Sequence, residues 1–123
     1  KQRGWIVHLG TVATKELTAS VGYTCAKAVI TPYVKHMGRK LLSDDVYISG
    51  ITLGAVTGQG GAIDRLKNKK PDVFRDFMKS RRPSARATPL TELMPYFNLL
   101  LTDSAKLHAS NMMCIDEAEG VAI

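Results

Sequence analysis

Cysteine is scarce in this sequence, and its two thiols, Cys25 and Cys114, stand in no repeating pattern. That excludes the disulfide framework by which small secreted domains are stapled, and it points to an intracellular setting: cytoplasm, nucleus or virion interior. Metal-binding patterns are missing as well. There is no Cys-x-x-Cys, His-x-x-x-His or His-Glu-x-x-His, and the spacing of His108 to Cys114 does not clip a tetrahedral ion. No apolar run approaches the roughly 20 residues needed to span a bilayer, so no membrane partner is expected. Lys1 and Arg3 precede an apolar run of only about five residues, too short for the core of a signal peptide. Gly58-Gln59-Gly60-Gly61 runs into Ala62-Ile63, without the Lys-Ser/Thr of a phosphate-binding P-loop. Nucleotide hydrolysis is therefore not expected, and no cofactor is implied. Internal repeats and low-complexity tracts are absent too.

What is present is an ordinary globular composition. The 123 residues are 45% hydrophobic and 23% charged, which suits one compact domain with one core. The expected organisation is a single domain over residues 1–123. It has an N-terminal segment at 1–10, an exposed basic loop at 79–88 and an acidic, small-residue tail at 114–123.

Apolar spacing predicts helices along most of the chain. Ala13, Leu17, Val21, Cys25 and Val29 fall four apart, giving one stripe on a helix capped by Thr11 or Thr14 and running to Ile30. Thr31-Pro32 reads as a cap and first helical position, with Tyr33, Val34, Met37, Leu41 and Leu42 turned inward. Ser43-Asp44-Asp45 suits a third helix start, and Val46–Val56 continues it across Gly50 and Gly54. Ala62–Lys67 is a short polar helix. Pro71-Asp72 opens another, bearing Val73, Phe74, Phe77 and Met78, and Thr88-Pro89 opens a last segment reaching about Met113. Only Trp5–Leu9 reads as a strand. The fold class expected is all-α, a compact bundle of about five to seven short helices with an exposed basic loop.

Charge supplies the functional expectation. Residues 1–86 hold sixteen Lys/Arg against six Asp/Glu, whereas residues 87–123 hold one Lys against five acids. Arg65–Arg86 alone has nine basic residues, a density suited to a polyanionic partner. Lys35, Arg39, Lys40, Arg65, Lys67, Lys69, Lys70, Arg75, Lys79, Arg81, Arg82 and Arg86 are the candidate contacts to nucleic acid. With no base-reading motif present, the contacts expected are to backbone phosphates of RNA or DNA. The chain then reads as a non-enzymatic nucleoprotein or accessory subunit. The alternative is a protein–protein or self-assembly module, a homo-oligomer or coat-like array joined through its basic and acidic ends. A more remote one is a small cysteine hydrolase pairing Cys25 with His8, His36 or His108. Cys25 lies on an apolar stripe, where a free thiol behaves as a small hydrophobe. No paired carboxylates are placed for acid–base work, and no catalytic residue is assigned.

Overall fold

The computed structural model describes residues 3–122, so Lys1, Gln2 and the last residue of the expected tail, Ile123, lie outside it. Its centre is a strand where a helix was expected. Val46–Leu53 (β2) is rich in β-branched residues, and Tyr47 to Ile51 are buried in succession rather than alternately. A strand covered on both faces shows no period of two, so its apolar run cannot be told from a buried helix by spacing alone.

β2 is flanked by Gly4–Thr11 (β1) and Met112–Ile115 (β5) in the order β1-β2-β5, both pairings parallel. Gly4 opposes Val46 and Thr11 opposes Leu53, and on the other side Gly50 opposes Met112. A second, two-stranded parallel ladder joins Val56–Thr57 (β3) to Thr88–Pro89 (β4). Parallel strands need crossovers, and helices supply them. Ala13–Glu16 (α1), Val21–Ala28 (α2) and Ile30–Leu41 (α3) lie between β1 and β2. Ala62–Lys69 (α4), Pro71–Arg81 (α5), Met94–Leu100 (α6) and Ala105–His108 (α7) lie between β2 and β5. The all-α expectation is therefore overturned: the fold is α/β, built on a parallel sheet.

The helix expected from Thr11 or Thr14 to Ile30 is interrupted. Leu17 ends α1 in the left-handed region at φ 54°, and α2 starts afresh with Ser20 as its cap, its hydroxyl accepting from the Tyr23 N–H. Of the presumed stripe only Ala13 is buried, and Leu17 and Val21 are 75% and 80% exposed. Pro71 opens α5 as expected, but α3 starts at Ile30 behind Val29, so Thr31 is not its cap and Pro32 is its third residue, and Thr88-Pro89 forms β4 ahead of a 3-10 turn at Leu90–Leu93.

α3 packs on β2, and Val34 of the helix is fully buried, as are Ile48 and Ile51 of the strand and Leu93 and Leu100 elsewhere in the core. α3 lies close to the sheet because Gly38 has no side chain; a Cβ there would sit 2.6 Å from the Ser110 Cα and 2.9 Å from the Ile48 carbonyl. Ser110 ties the layers together, its N–H donating to the Ile48 carbonyl (2.7 Å) and its hydroxyl to the Lys35 carbonyl (2.8 Å). Among the described residues no helix is long and apolar enough to cross a membrane.

Candidate active site

The C-terminal ends of β1 and β2 open into a cavity of about 800 Å³. In open parallel sheets this is where ligands bind, because the helices that follow the strands diverge there. β1 delivers Thr11, and β2 delivers the turn Leu53-Gly54-Ala55. α2 adds Tyr23 and Lys27, four residues apart and so stacked one turn above the other on a single helix face. Ile63 and Leu66 of α4, with Val73 and Phe77 of α5, form an apolar wall.

Local hydrogen bonds orient these groups. The Lys27 ammonium donates to the Leu9 carbonyl at 3.0 Å, which anchors the side chain of α2 to β1. The Thr11 hydroxyl oxygen accepts from the Ala13 N–H at 3.2 Å, leaving its own hydrogen free to donate. The site thus brings together a phenol, an ammonium and an alcohol, the donors needed to polarise a carbonyl and hand it a proton. No metal is assembled: among the described residues no group of three or more His, Cys, Asp or Glu is arranged to hold one.

The twelve basic residues named from the sequence form no comparable constellation. Lys35 bonds Asn111 at 3.2 Å, and Arg39 and Lys40 lie exposed near the end of α3. Arg65 bonds the Gly60 carbonyl, and Arg75 pairs with Asp72 at 2.6 Å. Lys67, Lys69, Lys70 and Lys79 are exposed on or beside α4 and α5. Arg81 and Arg82, expected on an exposed loop, instead end α5 and turn inward. Arg81 pairs with Glu16 at 2.7 Å. Arg82 is 2% exposed and spends all five N–H groups: on the carbonyls of Arg86 and Asp116, on Thr88, on Glu117 (2.5 Å) and on Glu119 (2.9 Å). Arg86 forks onto Glu92 and also reaches Glu117. The basic stretch and the acidic end of the chain are thus joined to each other within the molecule.

That network carries a pH signature. The Glu16 carboxyl is held below the usual carboxylate range by the Ala122 N–H, then by Arg81 and the Val121 N–H. Arg86 does the same to Glu92. Burial pushes Glu117 upward, but hydrogen bonds from Thr88 and Arg86 outweigh it and leave it lowered. A carboxyl lowered in the folded state stabilises the fold fully above its ordinary value and ceases to do so as pH falls through the lowered one. The urea midpoint is therefore expected to fall progressively below about pH 5, and Glu16→Gln to flatten that decline; an unchanged profile in the variant would remove Glu16 from the account.

The cysteine reading finds no support either. Cys25 is exposed on α2 rather than buried, and His8 stacks edge-on against Tyr33, ring centroids 5.1 Å apart. Burial, with Asp116 beside it, pushes the Cys114 thiol up, away from the nucleophilic thiolate. Reading the sequence missed Tyr23, Lys27 and Thr11. The available signal was the pair of Tyr23 and Lys27 one turn apart, downstream of the strand already recognised at Trp5–Leu9.

No family model matches the chain, and no curated protein is similar to it in sequence. Solved structures are similar in fold. A 3-oxoacyl-[acyl-carrier protein] reductase from Brucella melitensis superposes with a TM-score of 0.84 at 20% identity, covering 98% of this chain and 43% of that one. L-sorbose reductase from Gluconobacter frateurii, in complex with NADPH and L-sorbose, gives 0.81 at 16%, covering 98% and 49%. A short chain dehydrogenase family protein from Francisella tularensis gives 0.74 at 20%, covering 91% and 49%. The chain spans less than half the length of each. Two of these structures are reductases and one belongs to the short chain dehydrogenase family, and all three share the α/β fold of this chain. The non-enzymatic, nucleic-acid-binding reading and its partner expectations, the self-assembly alternative included, are corrected accordingly.

Proposed function

We propose that this chain forms the carbonyl-handling part of a nicotinamide-dependent short-chain dehydrogenase or reductase, with a carbonyl compound and its alcohol as the substrate pair. The observation that carries the reading is Tyr23 and Lys27 on one helix face, opening with Thr11 into a cavity at the strand ends. The similar structures support it: one was solved with NADPH and its substrate.

The residues present fit the reacting half of such a cofactor. The cavity lies within the range of small-molecule sites, roughly 300–1,000 Å³. Ser20, Tyr23, Lys27 and the backbone of Leu53 to Val56 would hold the ring and its sugar. The described residues do not supply a full Gly-x-Gly-x-x-Gly turn for the dinucleotide phosphates, since Gly58-Gln59-Gly60-Gly61 lacks the third spacing. When bound, the nicotinamide supplies or accepts the hydride.

The chain's own residues handle the carbonyl oxygen. Tyr23 donates its phenolic proton to that oxygen as the carbonyl is reduced, and takes it back in the reverse direction. The Lys27 cation, on the same helix face and anchored by the Leu9 carbonyl, compensates the charge left on the phenolic oxygen. Thr11 donates a second hydrogen bond to the substrate oxygen, its lone pair being engaged by the Ala13 N–H. The apolar wall from α4 and α5 keeps bulk water off the reacting atoms. An intracellular setting accompanies this reading, on the strength of two free cysteines.

The test is consumption of reduced nicotinamide by the full-length protein against a panel of ketones and aldehydes. Turnover with at least one of them is expected, and Lys27→Met is expected to lower it by about 10²-fold or more. Turnover unaffected by Lys27→Met would sink this assignment.

A further inference from the structure

Resting on that reading, we infer that Glu119 is a positioning residue for the reaction. It holds the turn after β2 in the shape that the cavity requires. Glu119 is 4% exposed, lines the cavity, and lies in the stretch expected to be an acidic, small-residue tail. Its Oε2 accepts from two sides. The Ala55 N–H donates to it at 2.5 Å, and Arg82 Nη1 donates at 2.9 Å. Gly54 makes room for this: a Cβ there would lie 2.6 Å from Glu119 Oε2, 2.7 Å from Arg82 Nη1 and 2.9 Å from the Asp116 carbonyl. A carboxylate, a guanidinium and a backbone N–H thus converge behind Leu53-Gly54-Ala55. That turn is cavity wall, formed where β2 ends beside Thr11 of β1.

The chemistry of the contact favours positioning over proton transfer. Glu119 Oε2 is occupied by a backbone donor and by a cation whose other N–H groups are engaged elsewhere, so that oxygen is committed to the turn rather than offered to a substrate. The backbone N–H of Ala55 is fixed in direction, and with it the peptide plane that faces the cavity. Arg82 sets the carboxylate, the carboxylate sets the turn, and the turn sets the floor on which the carbonyl compound meets Tyr23. Misplacement of reacting groups by about 1 Å costs on the order of 10²-fold in rate.

The experiment compares Glu119→Ala with Glu119→Gln in the full-length protein. It uses two readouts, hydrogen exchange of the Ala55 amide and steady-state reduction of a carbonyl substrate. Gln keeps an oxygen that accepts from Ala55, and Arg82 keeps Glu117, so this variant stays folded. The expected result for Ala is a loss of Ala55 amide protection by about 10²-fold, with kcat falling by a similar factor and KM changing by less than about threefold. Gln is expected to restore both to within about tenfold. Ala55 protection unchanged in Glu119→Ala, or Gln behaving as badly as Ala, overturns the inference. Failure of the wild type to reduce any carbonyl sinks the reductase reading instead, and amide exchange still decides whether Glu119 holds the turn.

Discussion

Tyr23→Phe is expected to leave a folded protein whose carbonyl turnover has fallen by about 10²–10⁴-fold, the range that a positioned general acid contributes. The change removes one oxygen from a side chain that is 46% exposed at the cavity, so little packing is lost. Surface changes of this kind usually alter stability by no more than about 0.5 kcal/mol, and the urea midpoint is the control. The loss should fall on kcat and kcat/KM alike, because the phenolic proton is needed as the carbonyl becomes an alcohol rather than when the substrate binds. Tyr33→Phe is the comparison: Tyr33 is equally exposed, at 47%, but its ring stacks on His8 and it does not line the cavity. Equal effects from the two substitutions would remove Tyr23 from the role assigned to it.

The second large effect concerns stability. Arg82→Met takes a guanidinium with five hydrogen bonds out of a buried position and leaves the carboxylate of Glu119 without its cation. The carbonyls of Arg86 and Asp116 also lose their donor. Breaking a buried pair by removing one partner costs about 3–5 kcal/mol, since the remaining charge has neither water nor counter-ion. Against a total stability of about 5–15 kcal/mol for a typical domain, that is a large share. Chemical denaturation should show it directly, and Lys70→Gln, on an exposed residue of the same basic stretch, should change stability by no more than about 0.5 kcal/mol. Equal stability of Arg82→Met and the wild type would mean that the pair contributes nothing net.

These two residues also show what the sequence made legible. The strand at Trp5–Leu9 and the proline-started helix at Pro71 were readable, because each rests on local chemistry: β-branched residues in one case, a missing N–H in the other. β2 was not, because burial on both faces erases the alternation that marks a strand. The spacing from Ala13 to Val29 misled, because Leu17 breaks the helix and Val21 lies exposed. Arg82 looked like its neighbours in a basic run. Nothing local tells an arginine that meets solvent from one that meets Glu119, thirty-seven positions later. Tyr23 and Lys27 were visible as residues, yet only the meeting of α2 with the end of β1 turns them into a site.

All the strand pairings described are parallel, and this governs how the chain must assemble. With no hairpin to start a ladder, β1 has to wait for β2 until three helices lie between them, and β5 has to wait through four more. Each ladder begins by closing a long loop, whose entropy must be met before any pairing rewards it. α3, continuous over twelve residues, packs on β2 and holds the strands once they have met. Until they are gathered, Ile48 and Ile51 stand open to water on a strand with two unpaired edges, and in that interval the nascent chain is most exposed to association with its neighbours.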